Sequence, residues 1–503
     1  MDELLTRLNQ PILKRLIDLL PGDEPCYLVG GAIRDALLNR PNYDLDFVTP
    51  GNAMKLARQI ANNLGAAYFP LDTRRNVARV ILKPENQPEH QDGRQVRIDF
   101  STFQGADLIH DLQGRDFTMN AMAVEVHDLQ TLVDPLGGAA DLVSRRLKVC
   151  SQQSFLDDPV RILRAVRFSV DLDLHIHPET LRLIHQATGH LRKVSAERLR
   201  DEIFRILNQV QPSTSLRILD KLDALEHILP EMCVLKNIQQ SPPHFLDVWE
   251  HTLDILVRLE NVMDVMAQEY HPDKAGNLSM GLVALRIGRY RQNLEEHLNN
   301  ALNSDRPHRG LIFLAGLYHD AGKQKAQTVD ENGRIRFFQH EQIGSKLAER
   351  RGKLLKLSNQ EVERLVMIIN HHMRPSLLSH DKELPSRKAV YRFFRDTGSA
   401  GVDICLLSLA DILATYGPTL PQERWAHHLD VVRVLLSAWW EDREGSIFPP
   451  SILSGDELMQ ALEISPGPLV GFLLDGIREA QVAGDIHSRE EALSLARTLV
   501  EGN

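Results

Sequence analysis

The strongest constraint on the fold of this chain of 503 residues lies near its start. An apolar run, Cys26–Val29, leads into the glycine pair Gly30 and Gly31 and then into a helical pattern, and a second apolar run, Asp44–Val48, follows. This order predicts a strand, a tight turn, a helix and a second strand. Backbone N–H groups at such a glycine turn can approach an anion closely. The start of the chain is therefore expected to form an α/β unit with an anion-binding turn.

A pair of carboxylates gives this unit a predicted chemistry. Asp44 and Asp46 are two residues apart on a strand, so they share a face and can bind the same Mg²⁺ ions. Asp99, at the end of another predicted strand, is the expected third carboxylate, and Arg34 adds positive charge beside the turn. A tight turn would by itself explain the glycine pair, and a polar strand end would by itself explain the aspartate pair. The two pairs together favour two-metal nucleotidyl transfer.

Composition limits the class of protein. The length suggests about three domains, and widely spaced cysteines without a CxxC pair argue against a disulfide framework or a structural zinc site. The apolar runs are too short for a membrane span, and no apolar leader follows a basic start, so we expect a soluble, cytoplasmic protein without membrane contact. The net charge of −10 argues against indiscriminate polyanion binding. Between Arg145 and Arg205, however, basic residues outnumber acidic ones by four, which predicts an RNA-contacting face or a solvated helical surface.

The secondary-structure pattern changes once along the chain. Residues 1–20 are predicted to form an amphipathic helix, residues 83–94 an exposed loop, and everything beyond Asp157 helices almost to the end. The fold class is therefore α+β, with an N-terminal α/β head holding a small mixed sheet, followed by all-α segments. The predicted strands are Cys26–Val29, Asp44–Val48, Ala78–Leu82, Val96–Phe100 and Ala121–Val126.

Two later segments add candidate nucleotide-binding residues. In the first, Arg115 could meet a phosphate, and Asp116 or Asn120 a ribose hydroxyl. In the second, the helix-start signal Asp158-Pro159 precedes arginines at every third position, so these side chains share one broad side of a helix. Asp158 by itself could be a helix N-cap. Together, the Asp158 carboxylate as acceptor and the Arg161 guanidinium as donor can also recognise the edge of a base. The helical set is Asp158, Arg161, Arg164 and Arg167.

Five motifs in register resemble the class II tRNA nucleotidyltransferases and bacterial poly(A) polymerases over roughly the first half of the chain. The motifs are Gly30-Gly31-x-x-Arg34-Asp35, Asp44-x-Asp46, Arg115-Asp116-Phe117-Thr118, Asp158-x-x-Arg161 and Ser195-Ala196-Glu197-Arg198-Leu199-x-x-Glu202.

The resemblance implies a nucleotidyltransferase head and a helical neck that selects the base without a nucleic-acid template. Asp44 and Asp46 would bind Mg²⁺, and Asp158 and Arg161 would pair with the cytosine or adenine edge. The implied partners are the tRNA 3′ end and CTP or ATP. The remaining implied contacts to triphosphate or ribose come from Gly31, Arg34, Arg115, Arg164 and Arg167.

Departures from the family pattern leave the product open. Gly114 stands where the family often has an arginine, and Asp157 replaces a common glutamate. Only 16 positions separate Asp99 from Arg115, whereas full CCA-adding members often carry a longer flexible loop there. CC-adding, A-adding and complete CCA-adding activities all stay open.

Histidines and aspartates on the later helices suggest a second metal site, because imidazole and carboxylate ligands from separate helices suit a divalent metal that activates water. The pattern resembles the HD phosphohydrolase superfamily. It implies a primary metal site and candidates for a second metal, with the identity of the metal open. Such attached domains can act on phosphate esters at damaged RNA ends. The implied primary ligands are His251, His319, Asp320 and Asp411, and the candidates for the second metal are His340 and His371.

The predicted domains are a head (1–149), a neck (150–215), an HD domain (216–425) and a helical tail (426–503). Three alternatives compete with nucleotide addition to tRNA. They are a poly(A) polymerase, an HD phosphohydrolase whose head senses nucleotide or RNA, and a non-enzymatic RNA-binding module. The sequence does not define the oligomeric state.

Overall fold

The computed structural model describes residues 11–22, 24–82, 96–269, 276–303 and 306–501. The chain forms two compact units. Unit 1 comprises residues 1–194 and 222–224, and unit 2 comprises residues 195–221 and 225–503. The predicted neck, 150–215, is thus divided between the two units. The predicted loop 83–94 and the first ten residues of the predicted N-terminal helix lie outside the described residues.

Unit 1 is built on a seven-stranded sheet with the strand order β3-β4-β5-β2-β1-β6-β7. Strands β2 and β5 are parallel and every other neighbouring pair is antiparallel, so the sheet is mixed as predicted. All five predicted strands are present, and β3 and β7 were not predicted. The strands are β1 (Tyr27–Val29), β2 (Asp44–Thr49), β3 (Ala67–Asp72), β4 (Val77–Leu82), β5 (Val96–Thr102), β6 (Ala123–Glu125) and β7 (Asp128–Val133).

The helices of unit 1 cover the sheet and continue into the basic segment. Helix α3 (Ala53–Leu64) shows how the sequence sets the bounds of a helix, because the Asn52 side chain caps its first turn and Gly65, in the left-handed region, ends it. A short parallel pair, β8 (Arg146–Leu147) and β9 (His175–Ile176), joins this segment together. The helices are α1 (Pro11–Leu19), α2 (Gly31–Leu37), α3 (Ala53–Leu64), α4 (Leu108–Gln113), α5 (Gly138–Val143), α6 (Ser154–Asp157), α7 (Arg161–Asp171) and α8 (Pro178–Ala187), with 3₁₀ turns at Thr118–Asn120 and Thr188–Lys193.

Unit 2 is predominantly helical, as predicted, and contains two short hairpins that were not. The hairpins are β10 (Ala301–Asn303) with β11 (Arg306–Pro307), and β12 (Gln327–Val329) with β13 (Ile335–Phe337). The first half of its helices comprises α9 (Ala196–Asn208), α10 (Pro212–Lys221), α11 (Leu225–Ile228), α12 (Pro230–Cys233), α13 (Val248–Val265), α14 (Leu278–Ile287), α15 (Arg291–Asn299), α16 (His308–Tyr318) and α17 (Lys323–Ala326). The second half comprises α18 (His340–Leu354), α19 (Asn359–His371), α20 (Arg374–Leu378), α21 (Arg387–Thr397), α22 (Ala400–Tyr416), α23 (Gln422–Trp440), α24 (Arg443–Ser446), α25 (Gly455–Leu462), α26 (Pro468–Ala483) and α27 (Arg489–Glu501), with 3₁₀ turns at Gly288–Tyr290 and Gly417–Thr419.

Helix α22 lies at the centre of unit 2. The segment Ala400–Thr419 is long and apolar enough to cross a membrane, but 78% of its apolar window is buried inside the fold, as expected for a core helix. The tail helices α25 to α27 pack around a small apolar cluster of their own, which includes Leu458, Leu473 and Ile477. Glu479 of α26 also pairs with Arg392 of α21 at 2.7 Å, so the tail is joined to the helices before it.

Candidate functional sites

The sheet of unit 1 brings the three predicted carboxylates together. Asp46 on β2 is the register partner of Asp99 on β5, and Asp44 lies two residues along the same face. Asp99 is in turn opposite Arg79 of β4, whose guanidinium donates two hydrogen bonds of 2.8 Å to the carboxylate. A row of one arginine and two aspartates therefore crosses three neighbouring strands.

The glycine turn lies directly against this row. Gly30 has φ of 74° and ψ of −128°, in the left-handed range that favours glycine. A methyl group on Gly30 would lie 3.1 Å from Nη1 of Arg115 and 3.6 Å from Oδ2 of Asp46. The glycine thus allows the backbone to pass closely between a cation and a carboxylate of the site.

We call the row of Asp46, Asp99 and Arg79 the carboxylate row. Ionisation of its carboxyl groups costs free energy. Burial, together with the nearby Asp99 and Asp44 charges, raises the pKa of Asp46 to about 6 from an ordinary value of 3.8. Arg115 and Arg79 act in the opposite direction but do not compensate fully. A divalent cation between these oxygens would remove the repulsion, so the residues present fit a magnesium site.

Several of the predicted nucleotide-binding residues form hydrogen bonds with one another. Arg34 donates to both carboxylate oxygens of Asp35, at 2.8 and 2.9 Å, and to Oδ1 of Asn120 at 2.8 Å. Asn120 donates to Oδ1 of Asp116 at 3.0 Å, and Arg164 donates to Oδ2 of the same carboxylate at 2.6 and 2.9 Å. We call this set the buried polar network.

The acidic residues of the buried polar network hold its arginines in position. Asp35 and Asp116 are 8% and 7% exposed, and their oxygens already accept hydrogen bonds from side chains of the network. Burial acts to raise the pKa of Asp116, but Arg164 and Asn120 hold it below its ordinary value. The ribose contact expected for Asp116 or Asn120 stays a prediction, and in this structure the two side chains position Arg164 and Arg34.

The predicted base-reading pair lies at the start of α7. Arg161 Nε is 3.9 Å from Oδ2 of Asp158. The Arg161 guanidinium also donates to the backbone oxygens of Gly114 and Arg115, at 2.8 and 3.2 Å, and to the Ser154 hydroxyl. These contacts fix the guanidinium plane beside Arg115, and so connect α7 to the motif that borders the carboxylates.

Aromatic contact orders the other arginines of α7. Arg34, Arg164 and Arg167 lie over the ring of Phe168 at 5.1, 5.3 and 4.3 Å from its centroid. Phe168 is 5% exposed. Three guanidinium groups held around one buried ring form a cationic cluster that suits phosphate.

Unit 2 contains a second cluster of ligand-type side chains. His251 comes from α13, His319 and Asp320 from the end of α16, His340 from the start of α18, and Asp411 from α22. The Nε2 atoms of His251 and His319 lie 3.6 and 3.0 Å from Oδ2 of Asp320, and His340 Nε2 lies 3.3 Å from its Oδ1. Asp320 therefore faces histidines with both oxygens, as a carboxylate shared by two metals would.

The cluster corrects one predicted ligand. His372, and not His371, lies with His340 and Asp320, with its ring centroid 5.3 Å from that of His340 and 5.2 Å from that of His319. The buried positions of α19 follow a helical repeat through Leu365 and Ile369, which continues to 372 and excludes 371. Helical periodicity was the signal that distinguishes the two adjacent histidines.

The histidines present acceptor nitrogens to the centre of the cluster. The Nδ1 atoms of His319, His340 and His372 lie 2.8, 2.9 and 2.7 Å from backbone carbonyl oxygens, which can only accept, so Nδ1 carries the proton. Nε2 is then the lone-pair atom that binds metals. Among the described residues, the buried Nε2 atoms of His251, His319 and His340 make no hydrogen bond. This donor set fits divalent metal ions.

Charges within the fold keep the shared carboxylate ionised. Burial acts to raise the pKa of Asp320, but His319 and the Lys323 ammonium, 2.7 Å from Oδ2, lower it well below its ordinary value. Burial lowers the pKa of His372 to about 3, so that ring stays neutral. A neutral imidazole beside an ionised carboxylate is the protonation state that metal binding requires.

Sequence reasoning missed other members of both sites. Arg79 could have been found as a lone charge in the apolar strand β4, and Asp111, which pairs with Arg115 at 3.0 Å, as its i−4 neighbour on α4. His244 packs edge-on against His251 with centroids 5.1 Å apart, but it lies in a loop without a pattern of its own. Tertiary packing alone brings His244 to the cluster.

Three known protein-family domains match segments of this chain. Residues 26–148 match the Poly A polymerase head domain, residues 173–235 the probable RNA and SrmB-binding site of polymerase A, and residues 278–415 the HD domain. The head domain carries the carboxylate row, and the HD domain match contains most of the histidine cluster. These matches define a nucleotidyltransferase with an attached HD domain.

Relatives along the whole chain identify the family. An A-adding tRNA nucleotidyltransferase of Deinococcus radiodurans is 30% identical over 97% of this chain and 99% of its own length. A CC-adding tRNA nucleotidyltransferase of Geobacter sulfurreducens is 30% identical over 97% of this chain and 95% of its length. A solved complex of a CCA-adding enzyme with ATP has the same fold, with a TM-score of 0.62, 22% identity, and coverage of 99% of this chain and 98% of that one. The chain belongs to the tRNA nucleotidyltransferase family.

Proposed function

We propose that this chain transfers C or A from CTP or ATP to the 3′ end of tRNA. The proposal is carried by the row of Asp46 and Asp99 beside Asp44, closed by the Gly30 turn. In the reaction, the terminal ribose 3′-oxygen bonds to the α-phosphorus, the bond from that phosphorus to the bridging oxygen of the β-phosphate breaks, and pyrophosphate leaves. The hydroxyl proton passes to water. These substrates imply that the protein acts in the cytoplasm.

In this proposal the residues of unit 1 have separate tasks. Asp44 and Asp46 hold magnesium, which would favour the alkoxide form of the attacking hydroxyl and offset charge on the pyrophosphate. Asp99 completes the carboxylate set while Arg79 fixes its orientation. Arg34, Arg164 and Arg167, gathered around the ring of Phe168, hold the triphosphate. Each of these three arginines lies in or beside the buried polar network.

Base choice is assigned to Asp158 and Arg161. The pair supplies one acceptor and one donor fork beside the Arg115 motif, a combination that can match the cytosine or adenine edge. Arg161→Ala should blur the choice between CTP and ATP more than it weakens RNA binding. Unchanged nucleotide preference, measured as the ratio of kcat/KM for CTP and ATP, would contradict the assignment.

We favour a single stage of addition, either CC or A. Relatives that match nearly the whole chain have the single-stage names A-adding and CC-adding. The connection between β5 and α4 is also short, running from 103 to 107. A short connection leaves little chain to rearrange between CTP and ATP, which fits one nucleotide class per enzyme.

The deciding assay uses three tRNA transcripts, ending at the discriminator base, after CC and after CCA. Each transcript receives CTP, ATP or both with Mg²⁺, and products are resolved at single-nucleotide length. Products that stop at CC indicate the CC-adding stage, and extension of the CC transcript alone by one A indicates the A-adding stage. Complete CCA from the bare end would overturn the single-stage proposal, and long adenylate tails would favour the poly(A) polymerase. No extension of any transcript would favour the hydrolase with a sensing head.

For unit 2 we propose metal-dependent phosphoester hydrolysis. The supporting observation is the set of buried, unpartnered Nε2 atoms around Asp320, because such atoms are costly unless a ligand binds them. A metal bound there would supply an activated water at neutral pH. The water oxygen bonds to phosphorus, the ester P–O bond breaks, and the two water protons end on the leaving hydroxyl and on the released phosphate or solvent. His251, His319, Asp320 and Asp411 would hold one ion, and Asp320, His340 and His372 a second.

The two proposals are separable by paired substitutions. Asp44→Ala should abolish nucleotide addition and spare phosphoester hydrolysis, and His319→Ala should do the reverse. The readouts are extension of a tRNA transcript and phosphate release from a nucleoside monophosphate. If either variant lost both activities while remaining folded, the two-site description would be wrong.

A further inference from the structure

A cavity of about 550 Å³ opens onto the histidine cluster, and we call it the HD cavity. Asp320, His340, His372 and Asp411 form one part of its lining. The volume lies within the ~300–1,000 Å³ range of small-molecule sites. A lone phosphate group would fill only a fraction of this space. The cavity therefore accommodates a larger ligand that presents one phosphate to the histidine cluster.

Two arginines line the same cavity on elements that hold no member of the cluster. Arg334 lies just before strand β13, and Arg424 lies on α23. Both are exposed, and neither forms an ion pair with any residue that the structure describes. Arg336, also in the lining, is different, because its Nε donates to Asp330 at 2.9 Å. The HD cavity thus has uncompensated cations away from its metal ligands.

The hairpin that carries Arg334 is held in place. Strands β12 and β13 pair through Thr328 and Arg336, and the Ile335 N–H donates to the Ser241 hydroxyl at 2.8 Å. The backbone of Asp330 accepts from Gly333 and donates to Arg334 within the turn. These contacts fix the backbone that carries Arg334, so its guanidinium stays at the cavity, where it can bind an anion.

Aromatic side chains also line the HD cavity. Phe338 is 68% exposed although it belongs to the cavity wall. The ring of Tyr416 lies under Arg424, with the guanidinium 5.1 Å from the ring centroid. An exposed aromatic ring beside phosphate-binding cations is the combination that binds nucleotides, because bases stack on aromatic faces.

We propose that the HD cavity binds a nucleotide with two phosphate groups. One phosphate occupies the histidine cluster, and Arg334 and Arg424 bind the other, which is not hydrolysed, while the base stacks on Phe338. This ligand chemistry has two sources, an RNA 3′ end with its flanking phosphodiester and a free nucleoside bisphosphate. The inference rests on the proposed hydrolase function of unit 2 and adds its substrate class.

The test uses the full chain with a divalent metal and compares a nucleoside 3′-monophosphate with the corresponding 3′,5′-bisphosphate. For the wild type we expect a KM for the bisphosphate at least tenfold lower, with similar kcat, measured as phosphate release. Each charged hydrogen-bonding partner contributes roughly a tenfold effect. Combining Arg334→Ala with Arg424→Ala should bring the KM ratio close to one. The matched control is Arg387→Ala, an exposed arginine outside the cavity, which should keep the wild-type ratio.

Equal KM values in the wild type, or an equal rise of both KM values in the double variant, would overturn the two-phosphate subsite. If neither substrate released phosphate, the hydrolase proposal would fail by itself. Equilibrium binding of a fluorescent nucleoside bisphosphate would then decide the subsite, with tenfold or greater weakening in the double variant supporting it and equal affinity overturning it. An RNA dinucleotide with a 3′-phosphate identifies the source. A lower KM than for the bisphosphate, raised by the double variant, indicates an RNA end, and a higher KM indicates a free nucleotide.

Discussion

The raised pKa of Asp46 predicts that a substitution in the transferase site stabilises the protein. A carboxyl group whose pKa rises from 3.8 to about 6 on folding costs about 3 kcal/mol of folding free energy at neutral pH, at about 1.4 kcal/mol per tenfold change in proton affinity. Asp46→Asn keeps the shape of the side chain and removes the charge. Without metal at pH 7.5, the variant should therefore unfold less readily than the wild type by up to this amount.

The sign of the pH dependence follows from the same shift. The folded protein binds this proton more tightly than the unfolded chain, so the penalty is small near pH 4, grows as the pH rises, and is complete above about pH 6. At pH 5 the advantage of Asp46→Asn should fall to roughly half its value at pH 7.5.

Hydrogen exchange of peptides from β2 and β5, in EDTA, measures this stability where it should change. About 3 kcal/mol corresponds to a little over a hundredfold slower exchange. All four tryptophans, Trp249, Trp425, Trp439 and Trp440, belong to unit 2, so tryptophan fluorescence provides an internal control that should not respond. Asp44→Asn, at an exposed position, is the matched variant and should have a smaller effect. Equal or lower stability of Asp46→Asn at pH 7.5, or an advantage that does not shrink at pH 5, would refute the reasoning.

Three further substitutions should affect one site each. A methyl group on Gly322 would lie 2.0 Å from the backbone oxygen of His340, so Gly322→Ala should abolish phosphate release and spare tRNA extension; loss of both would contradict two independent sites. Gly30→Ala adds a side chain at positive φ against the carboxylate row, so kcat for nucleotide addition should fall at least tenfold while phosphate release persists. Asp116→Ala removes the buried carboxylate that accepts hydrogen bonds from Arg164 and Asn120 and should destabilise unit 1 by about 3–5 kcal/mol, measured by hydrogen exchange. A change below about 1 kcal/mol would show that the buried polar network is not structural.

The sheet could be predicted from sequence only where its strands are buried. Strands β2 and β5 alternate apolar and polar residues with buried apolar positions, and they were found. Strands β3 and β7 have no buried position and carry Pro70 or charged and polar residues, so they lack the alternating apolar pattern. Hairpin β12–β13 was not predicted for the same reason, because every residue of Gln327–Val329 is exposed and the strand lacks buried apolar positions.

Sequence motifs predicted which residues lie at the two sites, but they did not predict which side chains these residues contact. The motif containing Asp116 and Asn120 was found, but whether a polar side chain touches a ligand or another side chain depends on tertiary contacts with α7, which is distant in sequence. The oxygens of Asp35 accept from residues close in sequence, Arg34 and Asn42, but the motif pattern does not show that these side chains turn toward it. His372 differs, because the burial pattern of its own helix contained the answer.

Both sites keep unfavourable groups that a bound metal would compensate, and the chemistry of the groups differs. The carboxylate row offers only carboxylate oxygen atoms, which suit Mg²⁺, whereas the histidine cluster also offers imidazole nitrogens, which suit Fe²⁺, Ni²⁺ or Zn²⁺ better. A metal at 100 times its Kd stabilises the folded state by about 2.7 kcal/mol. Mg²⁺ should therefore slow hydrogen exchange in β2, and Ni²⁺ should raise the unfolding midpoint reported by tryptophan fluorescence. Asp46→Asn should remove only the first response and His319→Ala only the second. A tryptophan midpoint that responds to Mg²⁺ as strongly as to Ni²⁺ would contradict the distinction between oxygen and nitrogen ligands.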